Sequence, residues 1–181
     1  VDYSNDTAAA VVKGPLSAAK YSAAATGDSS FGYFGGAGNP NKSTIDRVDY
    51  SNDTATASPK GPLSSIRDYH AATGARDDGF TVIGPAVVSN AAAVAGSFNP
   101  TTFGYFGSGS YRGTKVDRID YSNDTATAIL RTNLNASRTM NYGMTGNALF
   151  AYLGGGYSSP SPTSSVERIE YANDTETPSL R

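Results

Sequence analysis

Val48-Asp49-Tyr50-Ser51-Asn52-Asp53-Thr54 decides how this chain is read. The same seven residues stand at Val1–Thr7, at Ile119–Thr125 with Ile for Val, and in looser form as Ile169-Glu170-Tyr171-Ala172-Asn173-Asp174-Thr175. Repetition this literal means an array of one small unit, so function is to be sought in what differs between units. The phrases start 47, 71 and 50 residues apart. Other landmarks recur with them: Thr26-Gly27 ahead of Phe31-Gly32-Tyr33-Phe34-Gly35-Gly36, and Thr145-Gly146 ahead of Phe150-Ala151-Tyr152-Leu153-Gly154-Gly155. In the middle unit Thr73-Gly74 is separated from Phe103-Gly104-Tyr105-Phe106-Gly107 by an extra segment, which places an insertion at about Ala75–Thr101.

Composition points to strands. Gly 20, Pro 9, Tyr 12 and Phe 7 supply turns and strand-filling aromatics, and no long run carries apolar residues at helical spacing. A net charge of −2 lacks the clustered positive field that phosphate binding requires, so nucleic acid is not the expected ligand. No apolar stretch approaches the ~20 residues of a membrane helix, and membrane insertion is not expected. With Cys 0, no disulfide can form and no thiolate can serve as nucleophile or metal ligand. The chain has no initiator Met and starts inside a repeat phrase, as an internal piece of a longer polypeptide would.

Within a unit, Phe31–Phe34 reads as an aromatic strand closed by Gly35-Gly36. Ile45–Tyr50 reads as the next, with Ile45, Arg47 and Asp49 on one face and Asp46, Val48 and Tyr50 on the other. Ser51-Asn52-Asp53 supplies a tight turn, since Asn and Asp tolerate left-handed backbone and bond to their own main chain. Thr54–Ala57 is expected to pair back, Gly61-Pro62-Leu63 to leave the sheet, and Asp68–Thr73 to open the next one. Four short strands per ~50 residues is the spacing of a propeller blade.

The order Arg67–Ala72, Phe31–Gly36 and Thr44–Leu63 resembles the kelch repeat of β-propellers, although the chain carries Ala or Thr where that repeat places a Trp. The wording of Arg118–Ala128 is similar to kelch-like repeats of tail and fibre proteins of aquatic phages and other viruses. The resemblance implies an all-β fold of kelch-like propeller blades with four antiparallel strands each. It also implies a structural or host-recognition role in a virion, with a location in the virion or at an extracellular surface. About three and a half blades are expected: a half blade at 1–13 with its fourth strand at about Thr7–Val12, and blades at 14–60, 61–131 (with the insertion) and 132–181. Closed propellers need 4–8 blades, so other protein chains or further blades of the same polypeptide are expected partners. A stacked β-repeat fibre is the alternative architecture.

Catalysis is limited by inventory. The single histidine, His70, is the one candidate base for a Ser-His-Asp triad, and it is expected to be a packing residue. One histidine without cysteine cannot assemble a structural zinc site, and no cofactor is expected. Arg47, Arg118 and Arg168 occupy equivalent places, each two residues before an acid (Asp49, Asp120, Glu170), and are expected to form ion pairs on their own face or between blades. The loop Gly36–Ser43 nearly matches a phosphate-cradling loop, but Asn41 replaces its second glycine and a strand follows where a helix is needed. The Asn-Asp-Thr triplets at Asn5, Asn52, Asn123 and Asn173 match a glycosylation sequon but read as turns, which accounts for all four copies at once, and they lack the ligand ladder of a calcium site.

Variation is concentrated in the loops at about Gly36–Thr44, Gly107–Lys115 and Gly154–Ser165. Asn39, Asn41, Tyr111, Arg112 and Tyr157 in these loops are the candidate contact residues, with a cell-surface glycan or a protein as ligand. The insertion, with its apolar Phe80–Ile83 and small-residue run Ala86–Ala95, is expected to be a hairpin that packs on its own sheet or on a neighbouring subunit. A non-enzymatic structural or adhesive protein is the expectation. The alternative is a cytoplasmic kelch-like module for protein–protein interaction.

Overall fold

Each repeat phrase sits at the end of a strand and turns the chain back through a short 3₁₀ segment: Tyr50–Asn52, Tyr121–Asn123 and Tyr171–Asn173. The local chemistry is side chain to main chain. Asp49 Oδ1 accepts from Ser51 N at 2.9 Å and Ser51 Oγ at 2.6 Å, and Asp120 grips Ser122 with the same pair of distances. In the looser phrase Ala172 has no hydroxyl to give, and Glu170 makes no such bond.

These turns belong to three antiparallel sheets in a computed structural model that describes residues 7, 9–38, 40, 42–74, 102–109, 113–147 and 149–181. The first sheet runs β1 (Ala24–Gly27), β2 (Phe31–Ala37), β3 (Lys42–Asp49), β4 (Ser58–Lys60). The second runs β5 (Ala71–Gly74), β6 (Phe103–Gly107), β7 (Lys115–Asp120), β8 (Ile129–Asn133). The third is built from β9 (Thr139–Gly146), β10 (Phe150–Ser158), β11 (Ser161–Pro162), β12 (Val166–Glu170) and β13 (Ser179–Leu180), β11 pairing with the far end of β10. Every strand pairs with its neighbour in the meander, and the registers repeat: Tyr33 opposes Arg47, Tyr105 opposes Arg118, Tyr152 opposes Arg168.

The all-β expectation holds. The returning strand of the first unit is Ser58–Lys60, not Thr54–Ala57, because the 3₁₀ segment uses residues that a tight turn would have left for pairing. Residues 9–16 carry no strand; Gly14 N instead donates to Asp53 O at 2.7 Å. The insertion lies outside the described residues.

Alternation along the strands sends neighbours to opposite faces, and the two faces of the second sheet build two separate cores. Tyr33, Ile45 and Leu63 meet Phe106, Ile119 and Ala128 between the first and second sheets. Tyr105, Val116 and Leu134 meet Leu153, Ile169 and Tyr171 between the second and third. The leading strands lie in a row, β1 against β5 and β5 against β9.

Polar clasps repeat across both layers. Asp124 of the Ile119–Thr125 phrase accepts from Tyr33 Oη at 3.1 Å and Arg47 Nη1 at 2.6 Å, with Lys60 Nζ at 3.4 Å. Asp174 does the same with Tyr105 Oη at 2.9 Å, Arg118 Nη1 at 2.9 Å and Arg131 Nη2 at 2.6 Å. Of the two pairings expected for the arginines, Arg47 and Arg118 thus make the one between units, because Asp49 and Asp120 are already committed to their own turns. The phenols stack on the next phrase as well: Tyr33 on Tyr121 and Tyr105 on Tyr171, each with ring centroids 4.9 Å apart. Gly61 lets the linker cross this joint, since a Cβ there would sit 1.8 Å from Ala126 O.

Candidate binding surface

The hairpin tips between the second and third strands of each sheet are held by a buried acid and a buried cation. Asp46, Asp117 and Glu167 occupy the same register on β3, β7 and β12, and all are inaccessible to solvent. Ser17, Ser64 and Asn135 in the preceding linkers each donate to that carboxylate through main chain and side chain. Three residues further on comes the cation. Arg67 Nη2 lies 2.9 Å from Asp117 Oδ2, and Arg138 Nη2 lies 2.9 Å from Glu167 Oε1. Lys20 fills the place in the first unit, its Nζ donating to Thr44 O at 3.0 Å and standing 3.8 Å from Asp46. Arg67 also donates to the carbonyls of Phe106, Ser108 and Lys115, and Arg138 to those of Gly155 and Ser165. A charge in this setting needs all its donors answered, and the strand ends supply the carbonyls that do so.

This anchoring places a pair of tyrosines at the rim of the first sheet's tip. Gly38 pairs with Tyr21 in an isolated bridge, and Tyr21 reaches Tyr69 across the linker. Their rings meet edge to face with centroids 5.7 Å apart, and the hydroxyls are 2.5 Å apart. Both rings are open to solvent, Tyr21 at 57% and Tyr69 at 37%. The hydrogen bond from Tyr21 raises the Tyr69 phenol above its ordinary value, so the Tyr69 hydroxyl is neutral at physiological pH. Beneath them, Asp68 is almost buried and its Oδ1 has no partner among the described residues.

A recess of about 280 Å³ opens between the linker that carries Ile66 and Arg67 and the second tip, lined among others by Ser108, Gly109 and Lys115. It falls short of the ~300–1,000 Å³ usual for enclosed small-molecule sites.

His70 is packed as expected. Its ring lies 5.9 Å from that of Phe106, and a Cβ on Gly36, which has φ 65°, would come 2.4 Å from His70 Cε1. Burial, helped by the charge of Arg67, lowers its pKa to about 4. A base so depressed is unprotonated at neutral pH, but no serine hydroxyl hydrogen-bonds to it among the described residues. No group of three His, Cys, Asp or Glu side chains converges among those residues either.

Of the contact residues singled out in the sequence, Tyr157 lies on the extended β10–β11 hairpin, 39% exposed, with its hydroxyl donating to Pro160 O at 2.5 Å. Asn39, Asn41, Tyr111 and Arg112 lie outside the described residues. Tyr21, Asp68 and Tyr69 were not legible as a site: Tyr21 and Tyr69 are 48 residues apart and carry no motif. The signal available was position, since both stand just before the leading strand of their own unit. No protein-family model and no curated protein matches the chain.

Proposed function

We propose that the three sheets are blades of a kelch-like β-propeller array in a structural or adhesive protein, a virion tail, fibre or surface component, rather than an enzyme. The blades form the scaffold and the hairpin tips contact host glycans or neighbouring virion proteins. The exposed Tyr21–Tyr69 pair carries this reading. Two rigid, amphipathic, solvent-exposed rings supply apolar faces and phenolic hydrogen-bonding groups at low entropic cost, as a sugar or a polar protein edge requires. The reuse of one clasp at each joint supports a scaffold role, because equivalent side chains serve packing rather than chemistry. No helix among the described residues is long and apolar enough to cross a membrane.

Glycan-array binding tests the adhesive part. Wild-type protein binds a defined set of glycans, and the Tyr21→Ala/Tyr69→Ala variant loses about 10-fold or more in affinity if each ring contributes as stacking aromatics do. Array signals that survive this double substitution would overturn the assignment of the site. Mass spectrometry of purified virus particles tests the virion part: the chain is expected among the particle proteins, and capture by a cytosolic partner with absence from particles would favour the cellular module.

A further inference from the structure

Two linkers are fastened to one tip. Ala37 N donates to Arg67 O at 3.1 Å and Gly38 N to Tyr21 O at 2.7 Å, so adjacent residues of the first sheet's tip fix both main chains. Tyr21 and Tyr69 follow the linker cations Lys20 and Arg67 by one and two residues. Tyr69 has φ 46°, left-handed backbone that a bulky side chain rarely adopts, and Ser22 makes the same bend in the first unit with φ 56°. The bend therefore belongs to the linker, and Gly or Asn would serve it with less strain. A tyrosine held there marks a position where the ring itself is wanted.

The stacked pairs Tyr33–Tyr121 and Tyr105–Tyr171 are arranged differently. Their rings lie face to face, and their hydroxyls go elsewhere, to Asp124, Thr26, Asp174 and Gly74. Tyr33, Tyr105 and Tyr171 are also closed to solvent. Tyr21 and Tyr69 instead point their hydroxyls at each other, 2.5 Å apart, with both rings open to solvent. A phenoxyl radical carries its unpaired electron on the oxygen and on the ring carbons ortho to it, and touching hydroxyls bring those carbons towards one another. Tyr21 belongs to the first unit and Tyr69 to the second, so a bond between them would span an internal joint of the array.

We propose that Tyr21 and Tyr69 are a site of oxidative cross-linking, at which hydrogen peroxide acting through a one-electron haem peroxidase couples the two rings into a dityrosine that staples the first sheet to the second. Each phenol gives up one hydrogen atom, as a proton and an electron. The two radicals form a carbon–carbon bond between ortho positions, and the ring hydrogens at those positions shift to the oxygens, restoring both phenols. The two protons and two electrons released reduce one peroxide to two waters. The product carries its hydroxyls on either side of the new bond, within hydrogen-bonding reach of one another, as the pair already holds them. The chain has no cysteine, so no disulfide can take this role, and the bond would close a loop between positions 48 residues apart. The cross-link goes beyond the adhesive reading and does not rest on it, since it concerns a bond between the rings rather than what they contact. A cross-link without glycan binding leaves it standing, and glycan binding without a cross-link overturns it alone.

Treatment of the full chain, at high dilution, with a haem peroxidase and limiting hydrogen peroxide tests it. The single chain is expected to lose the mass of two hydrogens and to gain dityrosine fluorescence. Peptide mapping is expected to find one link, joining the tryptic peptides that begin at Tyr21 and at Asp68, with fragmentation placing it on Tyr21 and Tyr69. Tyr21→Phe and Tyr69→Phe are each expected to abolish the link, whereas Tyr157→Phe, which removes another solvent-exposed phenol, is expected to retain it. The cross-linked protein is expected to melt about 5–10 °C above the untreated one, because the closed loop restricts the unfolded chain. Mapping of the wild type locates the bond without any variant, so a variant that misfolds does not remove the test. A treated chain with no Tyr21–Tyr69 link, links only between molecules, or dityrosine that survives both substitutions would overturn the site. An unchanged melting temperature of the linked chain would overturn its role as a staple.

Discussion

Arg118 Nη1 donates to Asp174 Oδ2 at 2.9 Å across the joint between the second and third sheets, from a guanidinium stacked on Phe103. The same carboxylate receives Tyr105 and Arg131, so one acid in a repeated turn collects three donors from the preceding sheet. The joint is therefore a point of leverage for stability, and its strength is graded along the chain by how deeply each acid is enclosed.

Asp174→Ala is expected to cost about 3 kcal/mol or more, since it strands two cations and a phenol at a nearly closed joint. Asp53→Ala, with an exposed carboxylate and one exposed lysine, is expected to cost under about 1 kcal/mol in the monomer. Urea denaturation of the two variants gives the comparison, and equal losses would contradict the grading.

Arg138 and Glu167 are fully buried, and Arg138 also answers the carbonyls of Gly155 and Ser165. Arg138→Met leaves Glu167 charged without its cation and is expected to cost about 3–5 kcal/mol. Arg138→Lys keeps the charge, as Lys20 does beside Asp46, and is expected to recover about half of that loss. Thermal unfolding would contradict this if Lys were no better than Met.

His70 supplies a pH dependence with a definite sign. Its pKa is about 4 in the folded chain, against 6.5 as the ordinary value, so the unfolded chain binds the proton more readily. Stability from this group is complete above about pH 6.5 and falls as pH drops towards 4, by roughly 3 kcal/mol in all. His70→Leu is expected to flatten the melting temperature over that window, and parallel wild-type and variant curves would rule the assignment out.

Gly61→Ala is expected to cost about 3 kcal/mol, because its methyl would enter the Ala126 carbonyl at a crossing where the main chain cannot retreat. Gly143 on β9 has nothing within 4 Å of its would-be Cβ, and Gly143→Ala is expected to be neutral within about 0.5 kcal/mol. Equilibrium unfolding of the pair separates close approach from a general intolerance of alanine.

Local chemistry made much of this fold legible. Phe31, Phe103 and Phe150 each open the second strand of a sheet, and the Ile45-Asp46-Arg47 alternation places Ile45 in the core between the first two sheets. The tip residues were less accessible to sequence reading. Loop variability pointed to Tyr157, but it could not bring Tyr21 beside Tyr69, because those rings meet only after two linkers have been anchored on different sheets.

The sequence by itself determined the repeat, the all-β class and the place of each turn, since these depend on period-two sidedness and on short polar residues that break a strand. The partner of Arg47 was decided only by the tertiary structure. Sidedness puts Arg47 and Asp49 on one face, yet Asp49 is spent on Ser51 in its own turn, and the carboxylate that answers Arg47 belongs to Asp124, 77 residues away. A strand's pattern says which way a charge points; only the packing of one sheet on the next says what it meets there.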